Sequence, residues 1–296
     1  MRFSIFLFAS LCVFAAVIAA VPLPQDQEDV RGAFLTSRPK EKTAPSTVRT
    51  RPRPVPSPTP RRSPTPAADP NRQNTKPKDI TKPAKINTQR IGLGLTLFSR
   101  DSSGLAVRVD PNRIFHKGDR VRVLLETNSD GYLYIFNTTD NGLPVMLYPN
   151  PELDQAGNYI RAHVPFEIPS SLAAEERLRW LVFDEHGGDE RLYFVFSHEP
   201  LAGVPTEEDL ISYCRDAKPA CPWHPATEVW NQIKSQMDQL LQTDRSEGYG
   251  KAQTNAEHEA TTRGIGLAKE DPPPSLILMA SSTRSILVTW LDLVHQ

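Results

Sequence analysis

Few residues of this chain have the type and spacing for chemistry, and the clearest candidates are two cysteines. Cys214 and Cys221 have six residues between them, and a third cysteine, Cys12, lies in an apolar run near the start. In an oxidising compartment such a close pair predicts a disulfide that closes one short loop. Two free thiols remain the alternative. A redox pair would be spaced Cys-x-x-Cys, and a zinc site would need two further ligands, of which only His224 is near.

The histidines and acidic residues do not predict a metal site. None of the seven histidines has the His-x-x-x-His or Glu-x-x-His spacing that places two ligands on one helix face. The run from Asp184 to Glu190 could hold a hard cation through carboxylate oxygens. Its two glycines, Gly187 and Gly188, favour the other interpretation, a polar hairpin tip. No metal or other cofactor is therefore expected.

Known catalytic patterns are also missing. The sequence has no Gly-x-Ser-x-Gly and no cysteine paired with a histidine by motif, so it predicts no catalytic residue. Gly92-x-Gly94 lacks the third glycine and the following helix of a nucleotide phosphate loop. The aromatic residues Tyr132, Tyr134 and Tyr148 could line a binding face, or they could belong to the core.

The elements that must position these residues begin near residue 91, where apolar residues start to alternate with polar ones. Alternation of period two, with turn residues between short runs, predicts antiparallel strands. About nine such strands predict a mainly β fold, an antiparallel β-sandwich of immunoglobulin-like form or a small barrel. The predicted strands cover residues 91–98, 105–109, 119–126, 132–136, 145–148, 159–162, 164–168, 179–183 and 191–197.

We assign residues 91–204 to the sandwich and expect a change of character after them. Residues 205–243 read as a helical segment, with one short helix and a second helix over 227–243 that has an apolar stripe. Residues 244–274 read as a flexible loop. Residues 275–296 read as a C-terminal β-hairpin that packs on the same domain.

The N-terminal 90 residues are of a different kind. Residues 1–20 hold one cation and then an uncharged apolar run, which predicts a signal peptide or an uncleaved anchor, and hence a periplasmic or secreted protein. Residues 21–90 read as a disordered, Pro-rich, basic linker. Residues 31–90 hold 15 Lys and Arg against 3 Asp and Glu, whereas the chain after residue 90 holds 18 against 29.

This linker has two interpretations. Its prolines favour an extended polyproline II spacer of about 200 Å if fully stretched. Its cations could contact anionic envelope polymers or lipid head groups, or they could simply keep the linker solvated. Nucleic acid is not expected as a partner of an exported chain.

Four motifs carry a resemblance to a known family. In order and spacing they resemble a bacterial domain of unknown function, family 4384, over about residues 91–204. Many relatives have Phe where this chain has Tyr148. The resemblance implies an exported, β-rich module of the bacterial cell envelope and supplies no catalytic residues. The motifs are Gly118-Asp119-Arg120-Val121, the run from Asp130 to Phe136, Leu147-Tyr148-Pro149-Asn150, and Glu190–Tyr193 with Ser197–Pro200.

These features together predict a non-enzymatic module that binds an envelope protein or polysaccharide. Two alternatives from other classes stay open. One is an envelope hydrolase whose site is assembled from loops and leaves no local motif. The other is a purely structural spacer.

Overall fold

The computed structural model describes residues 30–41, 90–150, 157–205, 207–216, 221–237, 240–246, 248–281 and 283–296. The predicted signal peptide or anchor, and most of the predicted linker, lie outside these residues. Within the described ranges, no helix combines the length and the apolar character needed to cross a membrane.

The described residues fold into twelve strands and four α-helices. The helices are α1 Val30–Thr36, α2 Glu207–Asp216, α3 Thr227–Ser235 and α4 Asn255–Arg263. The strands are β1 Gly92–Arg100, β2 Ala106–Arg108, β3 Arg120–Thr127, β4 Gly131–Thr139, β5 Val145–Tyr148, β6 Tyr159–Ile160, β7 Phe166–Ile168, β8 Leu181–Val182, β9 Gly188–Ser197, β10 Leu241–Arg245, β11 Leu276–Ala280 and β12 Ile286–His295.

The strands form two antiparallel sheets that pack face to face, which confirms the predicted β-sandwich. Sheet A has the order β10-β11-β1-β3-β7, with β2 paired to β1 and β8 paired to β3. Sheet B has the order β12-β9-β4-β5, with β6 paired to β4. Alternate apolar residues of both sheets point into one shared core. This core includes Leu95 and Val123 of sheet A and Ile135 and Phe194 of sheet B.

The predicted C-terminal hairpin is wrong. Strand β11 pairs with β1 and β10 in sheet A, whereas β12 pairs with β9 in sheet B. Leu278 and Leu291 therefore reach the same core from opposite sheets. The alternation of either strand fits both arrangements, and only the long-range pairing with β1 and β9 separates them.

The predictions for the region between α3 and β11 are also corrected. Helix α3 ends at Ser235 instead of continuing to residue 243, and Leu241 begins β10, which pairs with β11. The predicted loop over 244–274 contains α4, which begins at a Thr254–Glu257 capping box and ends at Gly264 in the left-handed conformation. Few apolar residues lie in α4, so its periodicity is weak although its cap signal is clear.

Part of the predicted disordered linker is ordered. Residues 30–41 form α1 and a turn that pack on the outer face of sheet A, where Phe34 is fully buried against Ile277 and Met279. Gly94 makes this packing close, since a Cβ atom there would overlap Pro274 and lie 3.3 Å from Phe34 Cζ. Gly92-x-Gly94 therefore serves the packing of two segments over the sheet.

Candidate functional site

A pocket of about 250 Å³ opens at one end of the sandwich, where β4 and β12 end and β9 begins. Much of its wall is apolar and comes from both sheets, including Val121 of β3 and Leu192 of β9. Four polar side chains complete the lining. They are Asn137, Asp184, Glu190 and His295.

Two of these polar groups are buried without a hydrogen-bond partner. His295 is 5% exposed, and neither of its ring nitrogens makes a hydrogen bond. Its Nε2 atom lies 3.9 Å from Asp184 Oδ1, too far for a hydrogen bond. Asn137 donates from Nδ2 to Glu190 Oε2 at 2.7 Å, but its Oδ1 atom is unpaired. An unmade buried hydrogen bond costs about 1–3 kcal/mol, so a ligand that supplies partners here gains affinity.

The pocket favours hydrogen-bond donors and positive charge. The backbone N–H of His186 donates to Asp184 Oδ1 at 2.7 Å and, with the His186 side chain, lowers the pKa of Asp184 below its usual value. The Asp184 side chain is 69% exposed, and Glu190, also in the lining, is half-buried. No Lys or Arg is among the described residues that line the pocket.

A comparison with family models decides which domain holds the pocket. Residues 114–200 match the model of a domain of unknown function, DUF4384. They form a DUF4384 domain. This confirms the resemblance found in the sequence, although the matched range is shorter than the predicted 91–204. A search of curated proteins and a search of solved structures found no match.

The DUF4384 domain is only part of the sandwich. It includes β3 to β9, whereas β1, β11 and β12 lie outside the matched residues. It supplies nine of the eleven residues that line the pocket, and Leu293 and His295 come from β12. The pocket therefore needs strands from both sides of the DUF4384 boundary.

The three tyrosines proposed as a binding face are buried on two sides of sheet B. Tyr148 lies in the core between the sheets and donates its hydroxyl to the Gly157 carbonyl. Tyr132 and Tyr134 lie on the opposite face, in a cluster with Trp230 of α3. Burial raises the pKa of Tyr134, whose hydroxyl accepts a hydrogen bond from the Leu201 backbone. The three tyrosines do not share one exposed face.

The structure shows a disulfide at the two cysteines and no group of metal ligands at the described acidic hairpin. The structure joins Cys214 and Cys221 by a disulfide, with Cα atoms 5.1 Å apart. This bond links α2 to the segment before α3. No three His, Cys, Asp or Glu side chains of the described residues are grouped as metal ligands, and this includes the tip around His186.

A buried charged cluster on the outer face of sheet A was not predicted. Arg38 donates from Nε and Nη2 to both oxygens of Glu126, at 2.8 and 2.6 Å. His163 Nδ1 lies 2.7 Å from Glu126 Oε1, and His163 Nε2 lies 2.8 Å from Ser37 Oγ. Ser37 and Arg38 are 126 and 88 residues from their partners His163 and Glu126. No local motif could indicate these contacts.

Two further ion pairs lie on the same outer face. Arg108 of β2 pairs with Glu257 of α4, and Arg122 of β3 lies 3.7 Å from Glu167 of β7. The Arg122 guanidinium also stacks over the Trp180 ring at 4.1 Å. The Arg108–Glu257 pair attaches α4 to sheet A, whereas Arg122 and Glu167 lie on neighbouring strands of that sheet. A buried pair of this kind is costly to break on one side only, because the remaining charge is left unpaired.

Proposed function

We propose that this protein is an exported envelope module that binds a glycan group in the pocket at His295. The observation that carries the proposal is that two residues lining one pocket, His295 and Asn137, hold buried polar atoms without partners, the His295 ring nitrogens and Asn137 Oδ1. The DUF4384 domain supplies most of the wall and β12 supplies His295, so the proposal applies to the sandwich as a whole.

A sugar fits the chemistry of the lining. A hydroxyl group can donate to Asn137 Oδ1 and can also accept from, or donate to, His295. The apolar wall, which includes Phe183 and Leu192, can pack against the C–H face of a sugar ring. An amino group on the sugar would gain an ion pair with the exposed carboxylate of Asp184.

Export and the envelope are part of the same proposal. Residues 1–20 support export through their composition, and the basic character of residues 31–90 supports contact with anionic polymers. The ordered segment 30–41 limits this second role, since Arg38 is buried against Glu126. Arg38 is therefore not available to an envelope polymer, whereas Lys40 of the same segment is exposed.

Removal of the Asp184 carboxylate tests the site. We expect Asp184→Asn to weaken binding of glucosamine oligosaccharides about threefold, because one charge-assisted but solvent-exposed contact at the pocket mouth is lost. The matched control is Glu185→Gln. Glu185 is the next residue on the same hairpin, is 66% exposed and pairs with Lys117 outside the pocket. Isothermal titration calorimetry of the full chain measures both.

The same titrations distinguish the rival ligands. Oligosaccharides of N-acetylglucosamine lack the ammonium group, so their affinity should be lower and should not change with Asp184→Asn. Equal affinities of the Asp184→Asn and Glu185→Gln variants would contradict the pocket assignment. Binding of a lysine-bearing peptide, with no binding of either oligosaccharide, would replace the glycan proposal with a protein ligand.

A further inference from the structure

We propose that Ser37, His163 and Glu126 form a triad that hydrolyses carboxylic esters on the outer face of sheet A. Ser37 is the nucleophile, His163 is the base, and Glu126 is the acidic residue that orients the base. This site is separate from the pocket, because none of its three residues lines the pocket. It rests on geometry that is independent of the proposed glycan binding.

The order of contacts is the one that activates a serine. Ser37 Oγ lies 2.8 Å from His163 Nε2, and His163 Nδ1 lies 2.7 Å from Glu126 Oε1. Each distance is within hydrogen-bond range, and the two contacts use opposite nitrogens of one ring. A neutral imidazole that donates from Nδ1 to the carboxylate leaves Nε2 free to accept the serine proton.

Glu126 is held as an anion in a fixed position. Burial raises its pKa, but hydrogen bonds from His163 and Arg38 oppose burial, and the pKa of Glu126 is lowered overall. The five N–H groups of Arg38 reach both Glu126 oxygens and three backbone carbonyls, those of Ala268, Asp271 and Pro272. Glu126 is therefore a positioning residue that orients the histidine.

The histidine itself is fixed from several sides. Its backbone has a φ of 56°, a left-handed conformation that is unusual for a residue other than glycine. The backbone N–H of His163 donates to Thr127 at 2.8 Å, and Leu267 donates to the His163 carbonyl at 2.7 Å. The Phe34 ring packs edge-on against the imidazole, with 5.6 Å between ring centres. A fixed base loses little entropy when it accepts a proton.

The nucleophile is exposed and the other two residues are buried, as a reaction with an external substrate requires. His163 and Glu126 are 2% exposed, whereas Ser37 is on the surface at the end of α1. The serine hydroxyl has a competing acceptor, the Phe34 carbonyl at 2.6 Å. The serine hydroxyl therefore has two acceptors within reach, the Phe34 carbonyl and His163 Nε2, and only the second can activate it.

The reaction balances with water as the co-reactant. Ser37 Oγ bonds to the ester carbonyl carbon while its proton passes to His163 Nε2. The tetrahedral intermediate then expels the alcohol, which takes that proton. A water molecule loses a proton to His163 and attacks the acyl-serine, and the carboxylic acid leaves as Ser37 Oγ regains the proton. Ser37 and His163 are the catalytic residues.

A second serine–histidine contact does not have these properties. Ser129 Oγ lies 3.1 Å from His198 Nε2, but Ser129 is only 9% exposed. No acid among the described residues is in contact with the other ring nitrogen of His198.

Labelling of the full chain with an alkyl fluorophosphonate tests the inference, because phosphonylation reports an activated hydroxyl without requiring turnover. We expect label on Ser37, loss of label in Ser37→Ala, and labelling at least about 100-fold slower in His163→Gln. Ser103→Ala is the matched control, since Ser103 is an exposed serine that contacts Asp101 and no histidine. It should leave the labelling unchanged. Mass spectrometry of peptides locates the label.

A second measurement keeps the test decisive if His163→Gln does not fold. Hydrolysis of p-nitrophenyl acetate by the full chain should be lost in Ser37→Ala but kept in Ser103→Ala. Unchanged hydrolysis in Ser37→Ala, or label distributed equally over exposed serines, overturns the proposal.

Discussion

Replacement of Arg38 with Met should lower the free energy of unfolding by about 4 kcal/mol, because it leaves the Glu126 carboxylate buried without its main cationic partner. Arg38 is 2% exposed, and Arg38 and Glu126 are joined by two parallel hydrogen bonds. The loss also frees three backbone carbonyls, in the segment from Ala268 to Pro272, from their donor. Urea unfolding followed by circular dichroism measures the change.

A second arginine of the same segment is the control. Arg31 pairs with Asp244, but about a quarter of each side chain is exposed, so Arg31→Met should cost less than about 1 kcal/mol. The double variant Arg38→Met/Glu126→Gln should regain part of the lost stability, because no unpaired charge remains. Equal effects of Arg38→Met and Arg31→Met would contradict the buried ion pair.

The effect of Arg38→Met should depend on pH. The pKa of Glu126 is lowered from an ordinary 4.5, so its contribution to stability is present above that value and is lost as pH falls through the folded-state pKa. Removal of Arg38 leaves burial less opposed and raises the pKa of Glu126. Because the two unfolded chains titrate alike, the difference in stability between the two proteins should shrink as the pH falls from the raised pKa of Glu126 in the variant to its lower pKa in the unmodified protein.

The second large effect is expected at Gly131, in the Asp130-Gly131-Tyr132 motif. A Cβ atom there would overlap the backbone carbonyl oxygen of Ser197 and lie 2.8 Å from Phe196 Cε2. The carbonyl belongs to β9, the central partner of β4, so relief of the overlap requires separation of the two strands. We expect Gly131→Ala to destabilise the fold by about 3 kcal/mol.

Gly187 provides the comparison for Gly131. A Cβ atom at Gly187 would meet its nearest heavy atom at 3.4 Å, an ordinary contact, and Gly187→Ala should change stability by less than about 0.5 kcal/mol. Thermal unfolding of both variants measures the difference. A Gly131→Ala protein as stable as the Gly187→Ala protein would show that the Gly131 position is not constrained by β9.

The strands that could be predicted are those whose alternation is local. Val121, Val123 and Leu125 point to the core as their spacing indicates, and the sandwich class follows from such runs. The partner of a strand is a long-range property, so β11 and β12 could not be separated from a hairpin. Helix α1 has only a few apolar residues, and its stability depends on Phe34 packing against a distant sheet.

Both candidate sites depend on contacts that no spacing in the chain reveals. Asn137 and His295 face one pocket because β9 pairs with both β4 and β12. Ser37 meets His163 across 126 residues. The seven histidines were equivalent in the sequence, and the structure separates His163 and His295 from the others by their burial. A polar residue buried without its own local motif could be found only from the fold.

The docked segment 30–41 determines how the Pro-rich stretch is connected to the sandwich. Segment 30–41 is anchored on sheet A and residue 90 precedes β1, so the Pro-rich stretch is tied to the sandwich at both ends as a covalent loop. The length of this loop therefore does not determine how far residue 30 lies from the sandwich. If residues 1–20 stay in a membrane, residues 21–29 alone hold the sandwich within about 30 Å of it. A protease that cuts the loop would leave a two-chain molecule joined by Phe34 and Arg38.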